Sequence, residues 1–105
     1  MKASILLVLS LLAVQAGATD LISTNRQQEL RNLLVQDCGS CHGLQMKGGL
    51  GPALLASNLK GKSADYISHV ILDGRPGTAM PAWRPLITPA EANWLAEQLL
   101  KESLE

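Results

Sequence analysis

The chain has 105 residues with acidic and basic side chains in equal number, which describes one small domain with no basic excess for nucleic acid and no acidic tail. It has no Phe, one Tyr and two Trp, a meagre aromatic supply for a domain that must assemble a core. A buried flat apolar cofactor would make up the deficit, at about 25 cal/mol per Å² covered.

The first segment reads as an export signal. Lys2 is a short basic start, the apolar run from Ile5 to Leu12 has the length of a secretion core, and Ala16-Gly17-Ala18 carries small residues where a signal peptidase reads. Residues 1–18 are expected to be removed by cleavage after Ala18. The run gives out near Val14, short of the roughly 20 apolar residues that a membrane span requires, and no cysteine follows to carry a lipid. Residues 19–105 are then one exported domain, expected in the periplasm without a stable membrane anchor.

From Ser23 to Cys38 the sequence reads as a helix. Thr24 followed by Gln27 has the spacing of a capping box, and Leu30, Leu33 and Leu34 recur on one face. Arg26, Glu29 and Arg31 read most simply as solvated. The helix runs into Cys38-Gly39-Ser40-Cys41-His42, the attachment signature of a c-type haem. In one helical turn the two cysteines share a side, so each thiol can add to one vinyl group, while His42 offers a nitrogen to the iron. A zinc half-site, a dithiol redox pair and a structural disulfide are the competing readings of C-x-x-C. Zinc lacks further ligands, since the other histidine is the isolated His69 and there is no third cysteine. A thioredoxin-like site lacks strands to sit among.

Residues from Gly43 to Lys62 are irregular, broken by Gly48, Gly49, Gly51, Pro52 and Gly61. Within them Gly51 allows close approach to a ring, and Pro52 has a carbonyl that can accept from the second nitrogen of a ligating histidine. An ordinary Gly-Pro turn is the plain alternative. Ser63 then caps a helix whose stripe is Tyr66, Ile67, Val70 and Ile71, ended by Gly74, with His69 facing solvent.

The stretch Gly74-Arg75-Pro76-Gly77-Thr78-Ala79-Met80-Pro81-Ala82-Trp83 cannot be helical, and a methionine in a rigid loop is poorly explained as core. As the thioether ligand opposite histidine, Met80 is well explained. Met46 is too near the attachment run to reach the far side of the ring, and Met1 leaves with the signal. Thr88-Pro89-Ala90-Glu91 opens a last helix with a cap, a proline at the first position and an acid at the third. Its buried face is Trp94, Leu95, Leu99 and Leu100, with Trp94 packed near the crossing with the first helix.

The order Cys38, Cys41, His42, then Gly51-Pro52, then Met80, then a closing helix with Trp94-Leu95, resembles class I cytochrome c over essentially the whole exported chain. The runs Asp37 to Gly43, Gly48 to Leu54 and Gly74 to Trp83 are similar to a narrower group, the small periplasmic monohaem cytochromes of denitrifying bacteria of the NirC or cytochrome c55X type. The resemblance implies an all-α fold, a cytochrome c-like bundle of roughly three to five helices around one covalently bound haem c. Carried over by residue, it implies thioethers at Cys38 and Cys41, axial iron ligands at His42 and Met80, and a Pro52 carbonyl holding the proximal histidine. One departure is that Leu30, Leu33 and Leu34 stand where the class places a glycine and an aromatic at the helix crossing.

With both axial positions filled by protein, the reaction left is outer-sphere transfer of one electron, so the expected protein is an electron carrier and not an enzyme. Its implied partners are redox proteins, cytochrome cd1 nitrite reductase or a haem d1 maturation protein. Alternatives are a general respiratory donor to a terminal oxidase, and a haem sensor or enzyme with an open distal site. Arg75 and Arg84 are candidates for pairing with haem propionates, and Lys47, Lys60 and Lys62 for steering a partner.

Overall fold

Helix α1, Thr24–Leu33, begins one residue earlier in its cap than the spacing of Thr24 and Gln27 suggests. Ser23 is the cap, its Oγ accepting from the Arg26 amide at 3.2 Å, and the Gln27 amide group donates instead to the Ile22 carbonyl at 3.2 Å. In this computed structural model, which describes residues 21–101, the segment 1–18 and its cleavage after Ala18 lie outside the described residues.

The expected helix to Cys38 is continuous but not uniform. Leu34–Cys38 is π-helical, its wider turn marked by the Gly39 amide donating back to the Leu34 carbonyl, and α2, Gly39–His42, resumes α geometry. The wider turn changes which way the attachment residues point. In an unbroken α-helix Cys41 would lie only about 20° around from Leu30, on the face that meets the core, and one extra residue in the turn rotates it by about 100°. Cys41 is accordingly exposed, Cys38 and His42 are half-buried, and Leu30 and Leu34 keep the core face.

Helix α3, Ala64–Asp73, is capped by Ser63, whose Oγ accepts from the Tyr66 amide at 3.0 Å. Its buried side is Ile67, Ser68, Ile71 and Leu72. Tyr66, expected in the stripe, is exposed instead, because the face that meets α4 is centred on Ile67 and Ile71. Helix α4, Pro89–Lys101, opens with a complete capping box. The Glu91 amide donates to Thr88 Oγ1 at 3.1 Å and the Thr88 amide to Glu91 Oε1 at 3.0 Å.

The fold is all-α, a bundle in which α3 packs most extensively on α4 and α1 crosses α4. No strand occurs among the described residues. Leu30, Leu34 and Leu95 are fully buried at the centre, joined by Ile71, Ala96 and Leu99 and, from the glycine-rich loop, by Met46. Trp94 and Leu100 lie at the margin of this core rather than within it.

Two charged residues expected in solvent hold the crossing together. Arg26 of α1 donates through Nε to Glu91 of α4 and through Nη1 to Glu29, and the Arg31 guanidinium lies 5.2 Å from the centre of the Trp94 ring.

Candidate haem site

The site is built from the end of α2 and the loop that follows it. His42, the last residue of α2, donates from Nδ1 to the Pro52 carbonyl at 2.7 Å. A carbonyl can only accept, so the proton sits on Nδ1 and Nε2 keeps its lone pair free for a metal. The loop is folded against the back of the attachment run by backbone hydrogen bonds. The Gly48 amide donates to the His42 carbonyl at 2.7 Å, and the Gly51 amide donates to the Cys41 carbonyl at 2.8 Å. Gly51 is pressed so closely to the imidazole that a Cβ there would stand 2.8 Å from both Cε1 and Nδ1. This is why glycine precedes Pro52: any side chain would displace the ring from the carbonyl that orients it.

No disulfide joins Cys38 and Cys41. Two cysteines three residues apart, followed by a histidine with an available Nε2, fit the donor set of a c-type haem. They do not suit a bare ion. Among the described residues no group of three or more His, Cys, Asp or Glu side chains gathers to hold one.

Met80 stands in the loop between α3 and α4, half-buried and outside any helix. That loop returns onto the end of α3, where the amides of Trp83 and Arg84 donate to the Ile71 and Leu72 carbonyls, each at 3.1 Å. The two arginines considered for propionates have protein partners. Arg84 donates to Asp73 Oδ1 from Nε at 2.9 Å and Nη2 at 2.8 Å, and Arg75 Nη2 donates to the Tyr66 hydroxyl at 3.3 Å. Lys47, Lys60 and Lys62 are exposed, and His69 faces solvent with Nδ1 donating to the Asp65 carbonyl at 2.9 Å.

Known proteins are similar to this chain. The family model described as cytochrome c oxidase, cbb3-type, subunit III matches residues 25–98. A cytochrome c55X of Paracoccus denitrificans is 52% identical over 104 residues, covering 99% of this chain and 98% of its own. This chain belongs to the cytochrome c55X family. A solved structure of the c-type cytochrome NirC superposes with a TM-score of 0.76 at 46% identity, covering 78% of this chain and 96% of that one. A second solved structure, of dihydro-haem d1 dehydrogenase NirN in complex with DHE, matches with a TM-score of 0.61 at 36% identity. It covers 66% of this chain and only 15% of that longer protein. The run Cys38-Gly39-Ser40-Cys41-His42 is a haem c attachment motif, and the chain carries one covalently bound haem c. Among the described residues no helix is long and apolar enough to cross a membrane.

The sequence did not point to the tie between Arg26 and Glu91, nor to the hydrogen bond that the Met80 amide donates to Thr78 Oγ1 at 3.3 Å. The first joins residues 65 apart. The second was signalled only by Thr78 standing two positions before Met80.

Proposed function

We propose that this c55X-family protein is a periplasmic one-electron carrier of denitrification, with His42 Nε2 and the Met80 thioether as the two axial ligands of the iron. Cys38 and Cys41 hold the ring through thioethers, and the Pro52 carbonyl orients His42 and strengthens it as a donor. The bound haem c supplies reversible one-electron chemistry at iron. The chain contributes everything that tunes it. Two protein ligands leave no position for substrate, and a rigid pair of ligating segments keeps reorganisation between oxidation states small. The role is that of a carrier and not of an enzyme.

The observation that carries this reading is the 2.7 Å hydrogen bond from His42 Nδ1 to Pro52, which leaves Nε2 as the only ring nitrogen able to meet a metal. The rigid loop around Met80, with Pro76 and Pro81 on either side, supports the thioether as the opposite ligand. The proposed partners are cytochrome cd1 nitrite reductase or a protein that handles haem d1. A stretch similar to this chain makes up part of a dihydro-haem d1 dehydrogenase, and a dehydrogenation must hand on electrons, which suits a carrier of this kind.

The test is spectroscopic. The oxidised protein is expected to show a sulfur-to-iron charge-transfer band near the red end of the visible spectrum. Met80→Ala is expected to abolish it, to lower the reduction potential and to open the reduced form to rapid carbon monoxide binding. Wild-type protein that lacks the band and binds carbon monoxide rapidly is instead a sensor or enzyme with an open distal site. Stopped-flow mixing with cytochrome cd1 and with a cbb3-type oxidase separates denitrification from the general respiratory role suggested by the matched family model.

A further inference from the structure

The loop between α3 and α4 closes on itself before Met80. The Thr78 amide and hydroxyl both donate to the Arg75 carbonyl, at 3.0 and 2.6 Å. The Thr78 Oγ1 in turn accepts from the Met80 amide at 3.3 Å, and the Met80 carbonyl accepts from the Arg75 amide at 3.3 Å. One hydroxyl therefore links the start of the loop to the backbone of Met80, and the Met80 backbone closes the ring. The ring is seated on Gly74. That residue has φ +67°, and a Cβ there would stand 2.7 Å from the Met80 carbonyl oxygen and 2.8 Å from the Pro81 carbonyl carbon. The far end is anchored by Trp83 and Arg84 on the last carbonyls of α3.

We propose that Thr78 is a positioning residue for the distal ligand, its hydroxyl holding the Met80 backbone in the conformation from which the thioether meets the iron; this rests on the reading of Met80 as that ligand. The physical reason is entropic. A free loop loses backbone freedom each time its methionine coordinates, whereas a loop already closed through Thr78 loses less, so the bond to sulfur is stronger by that difference. Thr78 is exposed, and valine has nearly its shape, so removing the hydroxyl leaves the core untouched.

The experiment titrates the oxidised haem-loaded protein with imidazole, which competes with the thioether for iron, and follows loss of the band near the red end. Thr78→Val is expected to bind imidazole about fivefold more tightly than wild type, the net effect of losing the hydroxyl's two solvent-exposed hydrogen bonds. Thr78→Ser, which restores the hydroxyl, is expected to return the affinity to within about twofold of wild type. Far-UV circular dichroism is expected to be unchanged in both. An unaltered imidazole affinity in Thr78→Val overturns the inference, and so does a serine variant that behaves like valine. Failure of the reading beneath it looks different: the wild type itself then lacks the band, whatever stands at position 78.

Discussion

At the scale of the residue, the chemistry of the site is decided by how closely backbone can approach one imidazole. His42 has a single carbonyl partner, and Gly51 lies against the ring with no room for a methyl group. Gly51→Ala is therefore expected to cost about 1–3 kcal/mol, because the ring or the loop must shift to admit the new carbon. Guanidinium denaturation of the haem-loaded protein measures this, and an unchanged midpoint would show that the loop yields freely. Cys38, Cys41, His42 and Pro52 could all be singled out from the sequence, since the spacing of the first three is imposed by local geometry. Met80 could be singled out because a methionine among prolines and glycines has no helical neighbours to pack on. Thr78 could not be, since a hydroxyl two residues from a methionine is common and its partners are set by how the loop closes.

At the scale of the element, α1 and α4 are joined by an ion pair as well as by leucines. Burial acts to raise the Glu91 carboxyl, but hydrogen bonds from Arg26 and from Thr88 outweigh it and hold the group below its ordinary value of 4.5. A carboxyl depressed in the folded state stabilises the fold fully above that ordinary value, and the contribution is lost as pH falls through the folded value. Glu91→Gln keeps an acceptor for the Thr88 amide and loses the charge, so it is expected to cost about 1 kcal/mol at neutral pH, with the gap to wild type closing as pH falls below 4.5. Glu91→Ala loses the capping acceptor as well and is expected to cost about 2 kcal/mol. Thermal melts of wild type and both variants across this pH range measure the pattern. A gap for Glu91→Gln that stays constant as pH falls well below 4.5 would remove the charge from the account. The capping box was legible because its partners are three residues apart; the ion pair was not, because Arg26 and Glu91 meet only once the helices cross.

At the scale of the whole molecule, a core built around Leu30, Leu34 and Leu95 with so few aromatics is small for a domain of this length. A covalently held haem c adds the missing apolar surface. Replacing both Cys38 and Cys41 by alanine is expected to give a colourless chain that melts about 10–20 °C below the haem-loaded protein, as loss of a few kcal/mol does in a domain of this size. Circular dichroism melts compared with haem content measure it. A colourless variant with the wild-type melting temperature would mean that the helices alone make the domain.

The sequence alone determined the helical class, the attachment run and the order of the candidate ligands, because each rests on residues within a turn or two of one another, where periodicity, caps and covalent spacing act. It also carried the resemblance to the c55X cytochromes. Tertiary structure alone decided that Arg26 and Arg31 serve the helix crossing, that Tyr66 turns outward and that Leu34–Cys38 widens into a π turn. Such choices depend on which face of one helix meets another, and side chains far apart along the chain settle that only when they are packed together.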